Sequence, residues 1–354
     1  MHHKSVIAKA SEHLCKGGLV VFPTETVYGL GADAFNAEAV AQVYSEKGRP
    51  GDNPLILHIA NMENFRELSH QPPQYAFALA EAFWPGPLTL VARKNPALPA
   101  WLGGHPSRTT ETIGIRMPAH PIAQSLLEES KCIIAAPSAN KAGKPSPTTL
   151  AHVMEDFPNS GIFPLDGGSA TVGLESTVVD VTGDAPIILR PGFITEEQIF
   201  KTLGTPSPTP PQGISSLDPK FLQDEKLCED ERPRSPGMKY KHYAPRADMT
   251  LVNGDSERVA GYVLGAVNEN PNAKIGILIG KKTLRYLKNA PPSAKILLLG
   301  DNEKDIAHNL FARLREFDKL DVDIIFAETT PENGLGVAIM DRMRKAAEGR
   351  VVYV

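Results

Sequence analysis

Short apolar runs recur along the first 200 residues, and stretches with apolar residues at helical spacing separate many of them. Such runs have the length of buried strands, and interleaved strands and helices are typical of a sheet with helices packed on it. We therefore predict an α/β domain around a buried, mixed sheet. The strand-like runs are LVVFP, PLILHIA, LTLVARK, TIGIRMP, KCIIAAP, STVVDVTG and PIILRPG. The helix-like stretches are AEAVAQVYSEKG, QYAFALAEAFW and HPIAQSLLEES.

This pattern breaks after Gly204. Seven prolines lie between Thr205 and Pro236, so we predict a proline-rich linker over residues 205–246. The last part of this linker, SPGMKYKHYAPR, is too rich in Lys, Tyr and His for a passive spacer, and we expect it to dock on the protein. Regular alternation of strand and helix patterns follows, which predicts a smaller Rossmann-like α/β domain with a parallel sheet over residues 247–354. The first domain is then 1–204.

Composition agrees with two folded domains and excludes several functions. The chain has 354 residues, a length at which one hydrophobic core usually gives way to two domains, and 42% of its residues are hydrophobic. Its net charge of −4 provides no general attraction for nucleic acid or anionic lipid. Three cysteines without a C-x-x-C pair indicate a reducing compartment. Because no secretory signal or long apolar span is present, we expect a cytoplasmic protein without membrane association.

The segment from Lys47 to Pro54 combines cations with turn-forming residues. Lys47 and Arg49 flank a glycine just before the run PLILHIA. Glycine allows close approach of the backbone to an anion, and arginine can bind phosphate or carboxylate in a bidentate manner. These residues predict an anion pocket, although a solvated loop with two surface cations is the common alternative.

Hydroxyl and amide side chains follow the strand-like run KCIIAAP. Ser138 and Asn140 lie where ligands bind in open α/β sheets, outside the carboxyl end of a strand, but both residue types also favour plain turns. GLEST, before STVVDVTG, and Arg190, at the end of PIILR, are similar cases.

Two further motifs allow alternative interpretations. The hydroxyls of PTETVYG could hold a small substrate, or the segment could be a bulged edge strand. Gly29 to Ala34 fits the loose G-x-G-x-x-A dinucleotide pattern, but this pattern alone is weak support for such a site. His58 inside PLILHIA is more typical of a structural core histidine than of a catalytic one. We find no nucleophilic triad and no Walker A motif.

Taken together, the motifs resemble those of the YrdC-like threonylcarbamoyl-AMP synthases, in the same order over about residues 5–204. The blocks that carry the resemblance are PTETVYGLGADAF, KGRPGDNPLILHIA, FWPGPLTL, IRMPAHP, APSAN, KPSPT, GLESTVVD and LRPG. The chain beyond PGMKYKHYAP resembles the extra C-terminal domain of the long members of this family. The resemblance implies a YrdC-like twisted mixed sheet, followed by the Rossmann-like domain.

The resemblance also implies a nucleotidyltransferase. The expected reaction combines L-threonine, bicarbonate and ATP, with Mg²⁺, into L-threonylcarbamoyl-AMP, pyrophosphate and water. Other proteins would then move the threonylcarbamoyl group to adenosine (t6A) in tRNAs that read codons beginning with adenine, so tRNA contact would be indirect.

Site residues are carried over from the family motifs. The resemblance implies catalytic roles for Lys47 and Arg49, and no direct protein ligand for a metal. It assigns threonine or its carbamate to Thr24, His58, Arg116, Ala136 and Ser176. It assigns ATP to Arg49, Asn53, Thr112, Ser138, Asn140, Ser146, Arg190, His242 and Tyr243, and the PGMKYKHYAP segment would close on this site.

Different classes of function also fit the fold. One is an RNA-binding module that uses the basic cleft, although the acidic net charge opposes it. Others are a carbamoyl-transferring hydrolase and a regulator without synthase activity. The regulator is opposed by the joint presence of Lys47, Arg49, Ser138 and Asn140.

Overall fold

A computed structural model describes residues 2–158, 160–204 and 243–354, which form two sheets. The strands of the first are β1 (Val20–Phe22), β2 (Gly29–Asp33), β3 (Ile56–His58), β4 (Leu88–Arg93), β5 (Thr112–Arg116), β6 (Ile134–Ala136), β7 (Phe163–Pro164), β8 (Thr177–Asp180) and β9 (Ile187–Arg190). Their order across the sheet is β7-β1-β2-β6-β3-β5-β4-β8-β9. Parallel and antiparallel pairs both occur, so the predicted mixed sheet is confirmed.

Seven helices accompany this sheet in the described part of the N-terminal region, which we define as residues 2–204. They are α1 (His2–Cys15), α2 (Ala37–Lys47), α3 (Met62–Leu68), α4 (Gln74–Phe83), α5 (Pro121–Ser130), α6 (Leu150–Asp156) and α7 (Glu196–Thr202).

Both faces of the first sheet are buried. Leu57 and Ala135, paired in register, belong to the largest apolar cluster, which includes residues of α2, α3 and α4. The residues next to them in the strands, such as Ala136, point to the other face, because side chains alternate along a strand. That face carries a second cluster, in which Phe22 packs with residues of α1 and α5. Burial on two faces explains why the strands appear in the sequence as continuous apolar runs.

The second sheet belongs to the C-terminal region, residues 243–354. Its strands are β10 (Asp248–Asn253), β11 (Ile275–Ile279), β12 (Lys295–Leu298), β13 (Ile324–Glu328) and β14 (Val351–Tyr353), in the order β12-β11-β13-β10-β14. All neighbouring pairs are parallel, as predicted. The helices between them are α8 (Ser256–Glu269), α9 (Lys281–Leu284), α10 (Glu303–Leu320) and α11 (Gly336–Ala346).

The two regions share one apolar cluster. Val27 and Leu174 of the N-terminal region pack in the same cluster as Leu310 and Phe311 of α10. Burial of this kind contributes about 25 cal/mol per Å² of apolar surface removed from water. The contact therefore holds α10 and α11 against the loops that contain Val27 and Leu174.

Some predictions from sequence were wrong or incomplete. The dinucleotide pattern at Gly29 is strand β2, and not a turn that leads into a helix. A Cβ at Gly29 would lie 2.9 Å from the ring of Phe22, so the glycine serves close packing inside the sheet. Strands β2, β7 and β14 were not foreseen. Residues 205–242, most of the predicted linker, lie outside the described residues. Among the described helices, none is long and apolar enough to cross a membrane.

Candidate active site

A cavity with about 580 Å³ of space, part of it open to solvent, lies on one face of the first sheet. Ile56 and His58 alternate along β3 and so share this face, and Ala136 and Arg116 are their register partners on β6 and β5. His58 and Arg116 end the parallel strands β3 and β5, and Ser138 follows the end of β6, which runs antiparallel to β3. The face of the sheet forms its floor.

Many predicted site residues line this cavity, and others do not. Those that line it are Thr24, Arg49, His58, Arg116, Ala136, Ser138, Ser176, Arg190 and Tyr243. Those that are described but absent from its lining are Lys47, Asn53, Thr112, Asn140 and Ser146. His242 lies outside the described residues. The lining also includes Thr26 and Glu175, which the sequence analysis did not single out.

Arg116 ends β5 and is only 4% exposed. Its Nη2 donates to Oε1 of Glu25 at 2.7 Å, its Nη1 donates to the Thr26 hydroxyl at 2.9 Å, and its Nε donates to the Gly86 carbonyl at 3.2 Å. One N–H on each terminal nitrogen makes no hydrogen bond to a described residue. Such a pair is suited to binding a carboxylate.

The PTET segment forms a turn that is closed by Thr24. The Thr24 hydroxyl accepts hydrogen bonds from the backbone of Thr26 and Val27, both at 3.2 Å, and lies 2.6 Å from the Val27 carbonyl. Its capacity is therefore spent within the turn. The Thr26 hydroxyl lies 2.7 Å from that of Thr24 and accepts a hydrogen bond from Arg116, so the two threonines and Arg116 form one network. The predicted contact of Thr24 with threonine stays a prediction.

His58 is buried at the end of β3. Burial, and then the charge of Arg116, lower the pKa of His58 to about 3, so the ring is neutral near neutral pH. Nδ1 lies 3.2 Å from the Ile56 carbonyl, which accepts a hydrogen bond in the tautomer that carries its proton on this nitrogen. His58 therefore adds no positive charge next to Arg116.

Lys47 and Arg49 point in different directions because helix α2 ends between them. Gly48 adopts a left-handed conformation with φ of 63°. Arg49 then enters the cavity wall, where Nε and Nη2 donate to the carbonyl and side chain of Asn53 at 3.0 and 2.7 Å. Its Nη1 has no hydrogen-bond partner among the described residues. Burial lowers the pKa of Arg49 to about 10, so the guanidinium keeps its charge near neutral pH.

Lys47 lies behind the S-x-N loop and does not line the cavity. Its Nζ donates to the backbone carbonyls of Ser138 and Asn140. Burial, followed by repulsion from Arg49, holds the pKa of Lys47 well below its usual value. The predicted catalytic role of Lys47 stays a prediction. Lys47 joins the two motifs.

The S-x-N loop is also held by its own side chains. The Ser138 hydroxyl donates to Oδ1 of Asn140 at 2.5 Å, and Nδ2 of Asn140 donates to the carbonyls of Lys141 and Lys144. Asn140 thus supports the loop from outside the cavity, and Ser138 faces the cavity.

The opposite wall contains Ser176 and Arg190. Arg190 is 4% exposed, and its Nη2 donates to the Ser176 carbonyl at 2.9 Å and to the Ser176 hydroxyl at 3.2 Å. Gly192 permits this arrangement, because a Cβ there would lie 2.3 Å from the Thr177 nitrogen. Next to this wall, Ser146 donates to Glu175 at 2.6 Å.

Thr112 and Asn53 lie further from the cavity. Thr112 begins β5, at the other end of the strand from Arg116, and pairs with Arg93. Asn53 is 2% exposed and binds Arg49, so it supports a residue of the lining. Their predicted contacts with ATP stay predictions.

Matches to known families follow this division of the chain. A family model described as "Telomere recombination", which covers the Sua5, YciO and YrdC proteins, matches residues 12–192. A model described as "Threonylcarbamoyl-AMP synthase, C-terminal domain" matches residues 194–348. The threonylcarbamoyl-AMP synthase of Pyrococcus abyssi is 42% identical over 98% of this chain and 95% of its own length. The chain belongs to the threonylcarbamoyl-AMP synthase family.

Other members support the same assignment. The Bacillus subtilis threonylcarbamoyl-AMP synthase is 41% identical over 98% of this chain and 94% of its own length. The crystal structure of P. abyssi Sua5 complexed with L-threonine matches with a TM-score of 0.84 and 39% identity, over 98% of this chain and 96% of that one. These matches confirm the family, the enzyme class and the fold that the order of the sequence motifs implied.

Membership in the threonylcarbamoyl-AMP synthase family accounts for the charge of the cavity. Its lining contains Arg49, Arg116 and Arg190, and among the lining residues Glu175 is the only carboxylate. Among the described residues, no group of three or more His, Cys, Asp and Glu side chains could hold a metal ion. The site is therefore suited to anionic ligands.

Proposed function

We propose that this enzyme makes L-threonylcarbamoyl-AMP from L-threonine, bicarbonate and ATP, and releases pyrophosphate and water. The observation that carries the proposal is that three arginines line one cavity, two of them buried and Arg49 half-buried, each with part of its hydrogen-bonding capacity already fixed by the protein. Three fixed cations suit an amino-acid carboxylate and a nucleotide triphosphate together. Their positions are set before the ligands bind, which avoids reorganisation during the reaction.

The reaction needs charge stabilisation more than covalent catalysis. The amine of threonine and bicarbonate form a carbamate with loss of water. A carbamate oxygen then attacks the α-phosphorus of ATP, and the bond to the bridging oxygen breaks as pyrophosphate leaves. Both partners are anions, so bringing them together and stabilising the transition state dominate the barrier.

Arg116 would hold the threonine carboxylate through its two remaining N–H groups. We assign Thr26 a place beside it, because the Thr26 hydroxyl lies 2.9 Å from Nη1 of Arg116. Neutral His58 and Ala136 would line the same pocket, with Ser176 at the other wall. Thr24 would act by shaping the turn.

Arg49, Ser138 and Arg190 would surround the ATP phosphates. Arg49 keeps Nη1 available towards the cavity, and Ser138 lies at the loop that Lys47 fixes. Mg²⁺ would arrive as part of the substrate MgATP and offset charge on its phosphate oxygens. Tyr243, the first described residue of the predicted linker and part of PGMKYKHYAP, lines the cavity and supports the hypothesis that this segment closes on the nucleotide.

We extend the proposal to the fate of the product. The threonylcarbamoyl group would pass, through other proteins, to adenosine in tRNAs that read codons beginning with adenine. The family membership supports this step, and the net charge of −4 agrees with indirect contact to tRNA.

Pyrophosphate release tests the reaction. Release should require ATP, bicarbonate and threonine together, and omission of bicarbonate should abolish it. Threonine should be preferred over serine and valine, although one methyl group contributes only about 1–3 kcal/mol of discrimination. Arg49→Ala should lower the rate at least about 100-fold while the circular dichroism spectrum stays unchanged. A rate near that of the wild type would refute the assignment of Arg49.

A further inference from the structure

A carboxylate lies in the wall of a cavity that otherwise suits anions. Glu175 is 7% exposed and lines the cavity together with Arg49 and Ser138. A buried, uncompensated negative charge at this place would repel the phosphates of ATP. Glu175 must therefore have its charge offset before the site can bind a nucleotide.

The offsetting charge comes from the C-terminal region. Nε of Arg342, on helix α11, donates to Oε2 of Glu175 at 3.1 Å. The other carboxylate oxygen, Oε1, accepts from the Ser146 hydroxyl at 2.6 Å. Glu175 thus links a residue of the C-terminal region to a serine near the cavity.

Arg342 also touches the loop that follows β9. Its Nη1 donates to the carbonyl of Pro191, the residue after Arg190, and lies 3.0 Å from Oδ2 of Asp341. One guanidinium therefore contacts both loops of the cavity wall, those of Glu175 and of Arg190. Its side chain is fully buried, and its Nη2 has no hydrogen-bond partner among the described residues.

This arrangement is costly for stability alone. A buried donor without a partner lowers stability, and buried ion pairs often contribute little to stability compared with apolar residues. Burial raises the pKa of Glu175, but Arg342, Arg190 and Ser146 together lower it below its usual value, so the carboxyl stays ionised. This loss of stability is explained if the Glu175 carboxylate, with its charge offset by Arg342, positions groups of the active site.

We propose that Arg342 is a positioning residue for the nucleotide. By neutralising Glu175 and holding the loop after Arg190, it lets Arg190 face the ATP phosphates without an unpaired negative charge beside it, while Ser146 holds the other oxygen of Glu175. The C-terminal region thereby completes the active site of the N-terminal region. This inference rests on the proposed function, because it takes ATP as the ligand of the cavity.

Arg342→Met tests it in the full-length protein. The substitution keeps the length of the side chain and leaves Glu175 without its counter-charge. We expect the KM for ATP to rise at least about tenfold, with the KM for threonine changed much less. Adding Glu175→Gln in the same chain should return the KM for ATP to within about threefold of the wild type, because the repelling charge is gone.

Matched variants separate positioning from general stability. Arg344→Met, on the same helix, breaks an ion pair with Glu332 that lies within the C-terminal region, and it should leave both KM values unchanged. If Arg342→Met does not fold, Arg342→Lys, which keeps the charge, provides the test with and without Glu175→Gln. Arg342→Lys should stay within about threefold of the wild-type KM for ATP.

Two results would overturn the inference. One is an unchanged KM for ATP in folded Arg342→Met. The other is a raised KM for ATP that Glu175→Gln does not reverse, since a purely structural role predicts no rescue. This comparison is made in Arg342→Met or, if that variant does not fold, in Arg342→Lys. Failure of the proposed function is distinguishable, because the wild type would then release no pyrophosphate with threonine. In that case the same variants are compared by calorimetric binding of ATP, and a wild type that binds no ATP overturns the inference as well.

Discussion

Nη2 of Arg116 lies 2.7 Å from Oε1 of Glu25, and both side chains are buried. Oε2 of the same carboxylate accepts a hydrogen bond from the Ala119 backbone at 3.0 Å. Glu25 is thus fixed at both oxygens and sets the direction of the guanidinium. Arg116, which we propose to bind the threonine carboxylate, is therefore oriented by Glu25, a residue within the turn that Thr24 closes.

Glu25→Gln should therefore weaken threonine binding. The amide keeps the shape of the carboxylate, but it loses the negative charge that pairs with Arg116 and keeps only one of the two accepting oxygens. We expect the KM for threonine to rise about tenfold and the KM for ATP to stay within about twofold. Steady-state pyrophosphate release measures both. Glu63→Gln, which breaks the exposed pair with Arg66, serves as control and should change neither. Equal effects on both substrates would contradict the assignment of Arg116 to threonine.

Lys47→Met should destabilise the protein as well as slow it. The substitution leaves the carbonyls of Ser138 and Asn140 without their shared donor, at about 1–3 kcal/mol for each buried group. We expect the free energy of unfolding in urea to fall by about 2–4 kcal/mol. If Lys47 acted only on phosphate, removing a buried, desolvated ammonium would instead leave stability unchanged or raise it. Lys16→Met, at an exposed pair, is the control.

His58 should make stability depend on pH. The pKa of His58 is about 3 in the folded protein and 6.5 without the fold, so between these values the unfolded chain binds a proton that the folded chain does not. Stability is therefore lost as pH falls from 6.5, by up to about 1.4 kcal/mol per pH unit from this residue. In His58→Gln this contribution disappears. Urea unfolding of both proteins at pH 7, 5.5 and 4.5 should show the variant losing less stability on acidification; parallel losses would disprove the assignment.

Gly173→Ala should disturb the contact between the two regions. Gly173 has φ of 81°, and a Cβ there would lie 2.5 Å from Cα of His308 on α10. Backbone cannot yield cheaply, so we expect a loss of at least about 2 kcal/mol in the free energy of unfolding. Gly161→Ala, with nothing within 4 Å of its Cβ, should be tolerated. Thermal unfolding of the pair gives the comparison, and equal midpoints would show that the close approach does not constrain the fold.

Much of this molecule was predictable from sequence. Apolar runs located most strands, because burial on both faces leaves continuous hydrophobic segments such as that around Ile56. Short strand β2 was missed because its glycines and the preceding PTET segment contain few apolar side chains. Its glycines nevertheless pack closely on Phe22. The order of the motifs implied the family, and the matches confirm it.

The sequence by itself determined which segments would surround a polar cavity, because turn formers, cations and hydroxyls recur beside the strands. Only the tertiary structure decided what each one contacts. Gly48 turns Arg49 into the cavity wall and leaves Lys47 behind the loop, and the hydroxyls of Thr24 and Thr26 contact each other, with that of Thr26 also bound by Arg116. The pairing of Glu175 with Arg342 joins residues 167 positions apart, and no local pattern specifies it, since side-chain direction and distant packing arise only when the chain is folded.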